Sequence, residues 1–528
     1  MESLRRAFRN NQTLIITLAV LVFLYVIAIQ GMSTRDWVIT TLRGLAAGAV
    51  TFLVASGLSL IFGLMDVLNL AHGTLFMLGA YVGWSAFVRP DTFIDLLPVI
   101  MLIMIGFLLN PLWEKGVSRL QLPQLVGKIW PWVSLAAAAL LLFYLLPLYP
   151  IARWDAAVYN DSPVTWTQNF TNGLISSLIE PAEFSQASPF RLILGLLVAG
   201  ILAAVSLAGM RSLRRKVQIA GKLNLPWGRW ILIAVLIVTS LILIFYNTPI
   251  TNFLLNISTN WLFLFAIMVA ILIGGAVGGL MEMSLIRPLY SRPIYQLMLT
   301  LGLGVIGTEL VRALWGRSGF TMPRPALFEG SGEGCPATNL SGWLANNCST
   351  LLINIAGEET RIRVYNEVFL ILAGILVLVV VWALLRYTRL GMTIRAGVQD
   401  SEMVEALGIN VRRVFTLVFA LGAALAALGG VLSGPATGLS DLMGANLLLT
   451  ALIALAIGGL TSFPGSALGA LIVGLMQQFI IKYGQIGIPI PFTEITFKPT
   501  PPLVPASTVL LMIIILLVMP QGLLGRKE

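Results

Sequence analysis

EVFLILAGILVLVVVWALLRYTRLGMTIRAGVQDSEMVEALGINVRR, residues 367–413, decides the fold class. Its first half runs without a charge from Val368 to Leu385, about the length a helix needs to cross hydrocarbon. No alternation of polar and apolar residues accompanies that run, so it reads as a helix and not as a barrel strand. The second half, from Tyr387 to Arg413, is polar and patterned. Asp400 or Ser401 can cap a short helix, Glu402 then sits at the positive end of its dipole, and Gly408 supplies a stop. Met403, Val404 and Leu407 fall on one face at i, i+1 and i+4. A short amphipathic helix held in a loop between two membrane spans is available to a partner.

The rest of the chain agrees with that span. Of 528 residues, 58% are hydrophobic and 11% charged, against roughly 25% charged in soluble domains. The chain is therefore expected to be an all-α, polytopic integral membrane protein. Segmentation gives about fourteen spans, beginning near Leu14, Trp37, Leu70, Phe93, Trp130, Arg191, Trp230, Asn260, Ile294, Glu367, Val414, Asn446, Phe463 and Ala506. Leu14 to Ile29 lacks a following cleavage-like site and reads as a retained first span. The net charge is +10. With the N-terminus inside, most Lys and Arg fall on the cytoplasmic side, including Arg5, Arg6 and Arg9, the cluster from Arg211 to Arg229, and Arg386 to Arg413. Both termini are then cytoplasmic, and the basic balance reflects topology and not nucleic-acid binding.

Three regions differ in character. Residues 1–88 form a first half with an interrupted segment from Gly63 to Gly73; residues 89–259 hold several spans without a motif; residues 260–528 are Gly-rich and contain the polar loop 387–413. A second interruption, Gly458 to Ser466, lies near the other end of the chain. Broken helices at corresponding places point to a transport pathway, so the polar groups at the breaks, Asn69, His72, Thr461 and Ser462 with Gly73, are candidate pathway residues. Backbone capping and close helix packing are the competing roles for the same residues. Cys335 and Cys348 share the longest outer loop, Arg317 to Asn366, and form either a disulfide staple or two thiols.

Catalytic signatures are missing from the sequence. There is no GxxxxGK[ST] loop to hold a nucleotide, no HExxH, CxxC or GxSxG, and the single histidine cannot build a metal site alone. No catalytic residue, cofactor or metal is expected. The acids nearest apolar segments, Asp66, Glu282, Glu309, Asp441 and Glu494, lie towards segment ends, with Arg287 and Arg312 placed to pair with Glu282 and Glu309. That pattern argues against a carrier driven by protons or sodium. A membrane enzyme or assembly factor is disfavoured by the lack of clustered titratable groups.

Several ordered motifs resemble one family. Gly57-Leu58-Ser59-Leu60-Ile61-Phe62-Gly63, Asn69-Leu70-Ala71-His72-Gly73 and Met77-Leu78-Gly79-Ala80-Tyr81 look like the signature of the branched-chain amino-acid ABC importer permeases, the LivH-like group. Thr388 to Met392, Arg395-Ala396 and Gln399-Asp400 match their loop towards the ATPase, and Glu402 to Gly408 fits the EAA-type loop of ABC importers. Phe419 to Gly422, Gly458 to Leu460, Pro464-Gly465 and Pro520 to Gly525 continue the series, which covers roughly residues 37–88 and 260–525. Asp66 and Thr74 stand where relatives more often have Gly and an acid, and residues 89–259 resemble an inserted multi-span region.

The resemblance implies a permease in a bacterial or archaeal cytoplasmic membrane, set in lipid. It implies ABC ATPase subunits, an extracytoplasmic solute-binding protein, and a second permease that is LivM-like or another copy of this chain. Arg395, Asp400, Glu402, Met403, Val404, Glu405, Leu407 and Gly408 become the ATPase-coupling residues, with Met403, Val404 and Leu407 as the docked face. Branched-chain or other amino acids are the expected solutes; urea and short amides are the alternative within the same family.

Overall fold

A computed structural model describes residues 31–118, 123–148, 188–214 and 226–525, except 67, 291, 320, 356, 400 and 490–495, together with scattered positions in 17–26. Among the described residues, nine helices are long and apolar enough to cross a membrane, and His72–Val88 with Phe93–Leu108 form a tenth candidate as one broken span. Met443–Gly458 and Leu503–Val518 are apolar but shorter. This is fewer than the fourteen spans read from the sequence. Most of the expected first span, Leu14 to Ile29, lies outside the described residues. A helix of 16 residues extends about 24 Å and falls short of a hydrocarbon core of about 30 Å.

In chain order, α1 (Thr34–Met65) and α2 (His72–Val88) come first. They are followed by α3 (Pro90–Leu108), α4 (Asn110–Ser118), α5 (Gln124–Leu145), α6 (Pro189–Arg214), α7 (Trp227–Phe245) and α8 (Asn247–Asn256). Then come α9 (Thr259–Met281), α10 (Pro293–Trp315) and α11 (Leu340–Asn346), the strands β1 (Thr350–Ile355) and β2 (Glu358–Arg363), and α12 (Leu370–Tyr387). The short helices α13 (Arg389–Gln399) and α14 (Ser401–Ala406) precede α15 (Val411–Thr437), α16 (Met443–Gly458), α17 (Phe463–Ile486) and α18 (Leu503–Val518). Two compact units result: one comprises the chain up to Trp84 and from Thr259 onward, and the other falls within Ser85–Ser258.

Glycines govern packing in the first unit. A Cβ on Gly57 of α1 would lie 2.5 Å from the Gly422 carbonyl of α15 and 2.7 Å from His72 Nε2. On α17, Gly474 meets the Gly48 backbone nitrogen of α1 at a would-be 2.4 Å. Small residues let backbones approach where lipid supplies no hydrophobic drive between helices. Around these crossings Val54, Leu58, Val418, Ala426, Leu455 and Val473 form the buried core. Large apolar side chains that stay exposed, such as Leu310, Leu376 and Leu517, suit a lipid-facing surface.

Helix ends follow the local sequence. Ser33 accepts from the Asp36 N–H at the start of α1, and Asn410 accepts from the Arg413 N–H at the start of α15. At the other end of α1, Asp66 adopts φ 51°, the left-handed C-cap conformation that Gly occupies without a Cβ penalty. That conformation explains why Gly suits this position. Thr74 donates to the Gly304 carbonyl at 3.1 Å and so ties α2 to α10.

In the second unit, Ser206 donates to the Pro131 carbonyl at 2.7 Å and Ser134 to the Leu202 carbonyl at 2.8 Å, joining α5 and α6. Arg89 and Asp91, both buried, form an ion pair at 2.7 Å.

The long loop after α10 is structured. β1 and β2 pair antiparallel with Thr350 opposite Arg363, and Gly357 at φ 86° makes their turn. Cys335 is bonded to Cys348. Arg324 is held below its ordinary value by burial and then by the Arg363 guanidinium, while burial pushes the Glu329 carboxyl up.

Candidate functional site: two cavities on one bundle

Within the first unit, α1 contributes to two separate cavities. The first, about 400 Å³, takes Arg43, Ala46, Ala47, Val50 and Thr51 from α1. It adds Arg363, Asn366 and Glu367 from the approach to α12, and Asn446, Gln477 and Gln478 from α16 and α17. It lies at the end of the bundle that carries the disulfide loop. The second, about 510 Å³, takes Ser59, Leu60 and Gly63 from α1, Arg386 from α12, Arg395 from α13, and Thr461, Ser462 and Phe463 at the start of α17. Thr51 and Ser59 are about 12 Å apart along a helix. The α1 residues between them, Phe52 to Leu58, are all buried. The Phe52 ring meets the Phe463 ring edge-on at 5.6 Å between centroids, an aromatic partition beside the second cavity.

Glu367 organises the first cavity. It sits in a π-helical turn, Val364–Phe369, that precedes α12. The extra residue in such a turn re-aims side chains, which is why π turns recur at functional positions. Glu367 is 1% exposed and accepts from Arg43 Nε at 2.8 Å and from the Arg363 backbone N–H at 2.7 Å. Arg43 remains 48% exposed. The Asn366 Oδ1 atom, in the same lining, is buried without a hydrogen-bond partner among the described residues.

A second π turn, Glu282–Ile286, follows α9 and carries another buried glutamate. Glu282 accepts from Arg287 at 2.9 Å, from Thr416 of α15 at 2.6 Å, and from Tyr290. The pairing of Glu282 with Arg287 expected from the sequence is present, as is that of Glu309 with Arg312. Arg312 also holds Asp441 at 2.8 Å. Glu494 lies outside the described residues.

The residues singled out in the sequence divide into groups. Thr461 and Ser462 line the second cavity, where Ser462 also caps α17 by accepting from the Gly465 N–H at 3.2 Å. Asn69, His72 and Gly73 line neither cavity. Asn69 is buried and accepts from the Ala71 N–H at 3.1 Å, a capping role before α2. His72 is fully buried against Gly57, and Gly73 is pressed on the Gly444 carbonyl of α16.

In the loop 387–413, Arg395 joins the wall of the second cavity. Val404 is 4% exposed, whereas Met403 is 63% and Leu407 72% exposed. The expected single docked face is thereby corrected, because Val404 turns into this chain's own bundle and leaves Met403 and Leu407 outside. Glu405 is exposed, and Gly408 takes φ 82°, the stop expected of it. Asp400 lies outside the described residues, and of Glu402 only its place in α14 is described.

Arg43, Asn366 and Glu367 were not among the sequence candidates. Arg43 stood as one cation inside an apolar run, a signal that intramembrane charge often marks function. Its partner lies 324 residues away, which no local pattern reveals.

Comparison with known proteins places these features in a family. The profile described as branched-chain amino acid transport system, permease component, matches residues 217–519. LivH, a high-affinity branched-chain amino acid transport system permease protein of Escherichia coli strain K12, is 30% identical over 278 residues, 52% of this chain and 79% of that protein. LivH of Salmonella typhimurium is 29% identical over the same shares. BraD of Pseudomonas aeruginosa is 30% identical over 177 residues, 31% of this chain and 49% of BraD. No solved structure gave a significant match. With more than half its length matched by the profile and its ordered motifs set on a helical membrane bundle, this chain belongs to the family of branched-chain amino acid transport system permease components.

Proposed function

We propose that this chain is the membrane-spanning subunit of an ABC importer for branched-chain or other amino acids, moved by separate ATPase subunits that dock on residues 387–413. The observation that carries this reading is the position of α13 and α14. Met403 and Leu407 are exposed, yet the same segment is anchored inward by Val404 and Ile394, both 4% exposed. Ile394 and Arg395 are themselves wall residues of the second cavity. Gly397 packs against Leu64 near the end of α1, where a Cβ would approach its side chain to 2.9 Å. A partner that grips Met403 and Leu407 would therefore pull directly on a cavity wall. The difference in docking energy between two ATPase states then biases the bundle.

Under this reading the loop 387–413 and both termini are cytoplasmic, and the disulfide loop faces the solute-binding protein. A second permease, LivM-like or another copy of this chain, completes the pathway. The segment 89–259 is an insertion between two permease halves, 1–88 and 260–528. Urea or short amides are the alternative solutes. A self-powered carrier would need an ionisable group free to load and unload, whereas Glu282 and Glu367, the buried glutamates among the described residues, are ion-paired.

The test is Leu407→Asp in the full chain expressed with its ATPase subunits. A charge on the docked face should abolish co-purification of the ATPase and solute uptake together. Retention of both would overturn the assignment.

A further inference from the structure

We propose that the cavity around Arg43 is a recognition site for a zwitterionic α-amino acid within the membrane subunit itself, with Arg43 as the carboxylate anchor. The inference rests on the reading of this chain as an amino-acid importer subunit and adds to it the residues that identify the solute after its release from any binding protein.

The cavity is electrically polarised. One pole holds Arg43 and Arg363 against a single carboxylate, Glu367, so its fixed charge is positive. Glu367 uses one oxygen on Arg43 Nε and the other on the Arg363 backbone N–H. Among the described residues only Nε of Arg43 is engaged, which leaves its two terminal nitrogens for a paired contact with a ligand carboxylate. Glu367 thus positions the arginine and does not neutralise the pole.

Other lining residues can accept hydrogen bonds. Thr51, Ser433, Thr437 and Thr450 each donate their hydroxyl proton to a backbone carbonyl on their own helix, those of Ala47, Gly430, Ser433 and Asn446. Each hydroxyl oxygen keeps accepting capacity, and all four residues line the cavity. The Asn366 Oδ1 atom, buried without a partner among the described residues, is a further acceptor in the lining. An unsatisfied buried acceptor is costly to leave unmade. A ligand ammonium, with three donors, can pair with acceptors of this kind.

Val50, Phe76, Leu370 and Leu447 complete the lining and offer an apolar surface for an aliphatic side chain. A volume of about 400 Å³ is at the small end of the range for solute pockets, about 300–1,000 Å³, which fits one small solute. Urea and short amides lack the carboxylate that the positive pole would hold.

The experiment uses the full chain assembled with its ATPase and binding-protein partners, with uptake of radiolabelled L-leucine, L-isoleucine and L-valine as the readout. Arg43→Gln alone would leave Glu367 buried without its counter-charge. The double variant R43Q/E367Q keeps a neutral hydrogen-bonded pair at that place. Its KM should rise about 10- to 100-fold, the cost of losing a charged hydrogen-bond anchor, while Arg43→Lys keeps most of the affinity. On the purified full chain, leucinamide, which lacks the carboxylate, and 4-methylpentanoate, which lacks the ammonium, should each compete with L-leucine far more weakly than L-isoleucine does. Uptake by R43Q/E367Q at the wild-type KM would overturn this site and leave the importer reading intact. Absence of uptake of all three amino acids by the wild-type assembly would instead overturn the reading on which the site rests, and the site with it.

Discussion

At Gly57 a single hydrogen atom decides how closely two helices can meet. A Cβ there would sit 2.5 Å from the Gly422 carbonyl and 2.7 Å from His72 Nε2, with backbone on one side and a fully buried ring on the other. Neither neighbour is the free end of a flexible chain, so α1 and α15 would have to separate. Gly57→Val is expected to cost about 1–3 kcal/mol or more, seen as a lowered thermal midpoint of the purified chain in detergent. An unchanged midpoint would show that the crossing is loose. His72 follows from the same contact. Beside a helix break it reads as a pathway residue, yet its ring fills the notch left by Gly57. Which of those roles a lone histidine takes depends on what faces it from another helix.

The two π turns show what an element adds beyond its residues. Each presents a buried glutamate to an arginine, Glu367 to Arg43 and Glu282 to Arg287. At the second turn Glu282 is wholly buried, whereas the Arg287 side chain is 31% exposed. Removing only the arginine strands a carboxylate in the bundle. Arg287→Met should therefore destabilise the chain by about 3–5 kcal/mol, and E282Q/R287M by clearly less, because no unpaired charge remains. Denaturation of the two purified variants distinguishes these outcomes, and equal losses would mean that the pair does not secure the α9–α15 contact. The i, i+5 spacing of Glu282 and Arg287 was open to reading in the sequence. The π turn was not, since nothing in the run of residues announces the extra one. The same limit applies to α14: helical spacing groups Met403, Val404 and Leu407, but only the neighbouring helices decide that Val404 turns inward.

At the scale of the whole bundle, Phe52, on the stretch of α1 between the two cavity linings, meets the Phe463 ring of the second cavity edge-on. Such a partition fits alternating access, in which one side opens while the other stays closed. Phe463→Leu keeps an apolar side chain but removes the ring edge. In vesicles holding the assembled importer without ATP, passive efflux of trapped L-leucine should rise several-fold over the wild type. Efflux at the wild-type rate would place the barrier elsewhere.

Sequence alone determined the helical membrane class, the family motifs, the polar loop between two spans, and Thr461 and Ser462 as polar groups at a helix break. Those properties follow from hydropathy, helical period and local capping, which act over a few turns of chain. Tertiary structure alone decided that Arg43 meets Glu367, that Asn366 Oδ1 is buried without a partner among the described residues, and that Asn69, His72 and Gly73 line neither cavity. A contact between residues 324 positions apart depends on how α1 packs in the bundle. Side-chain size and backbone approach across helices set that packing, and no single segment contains both partners.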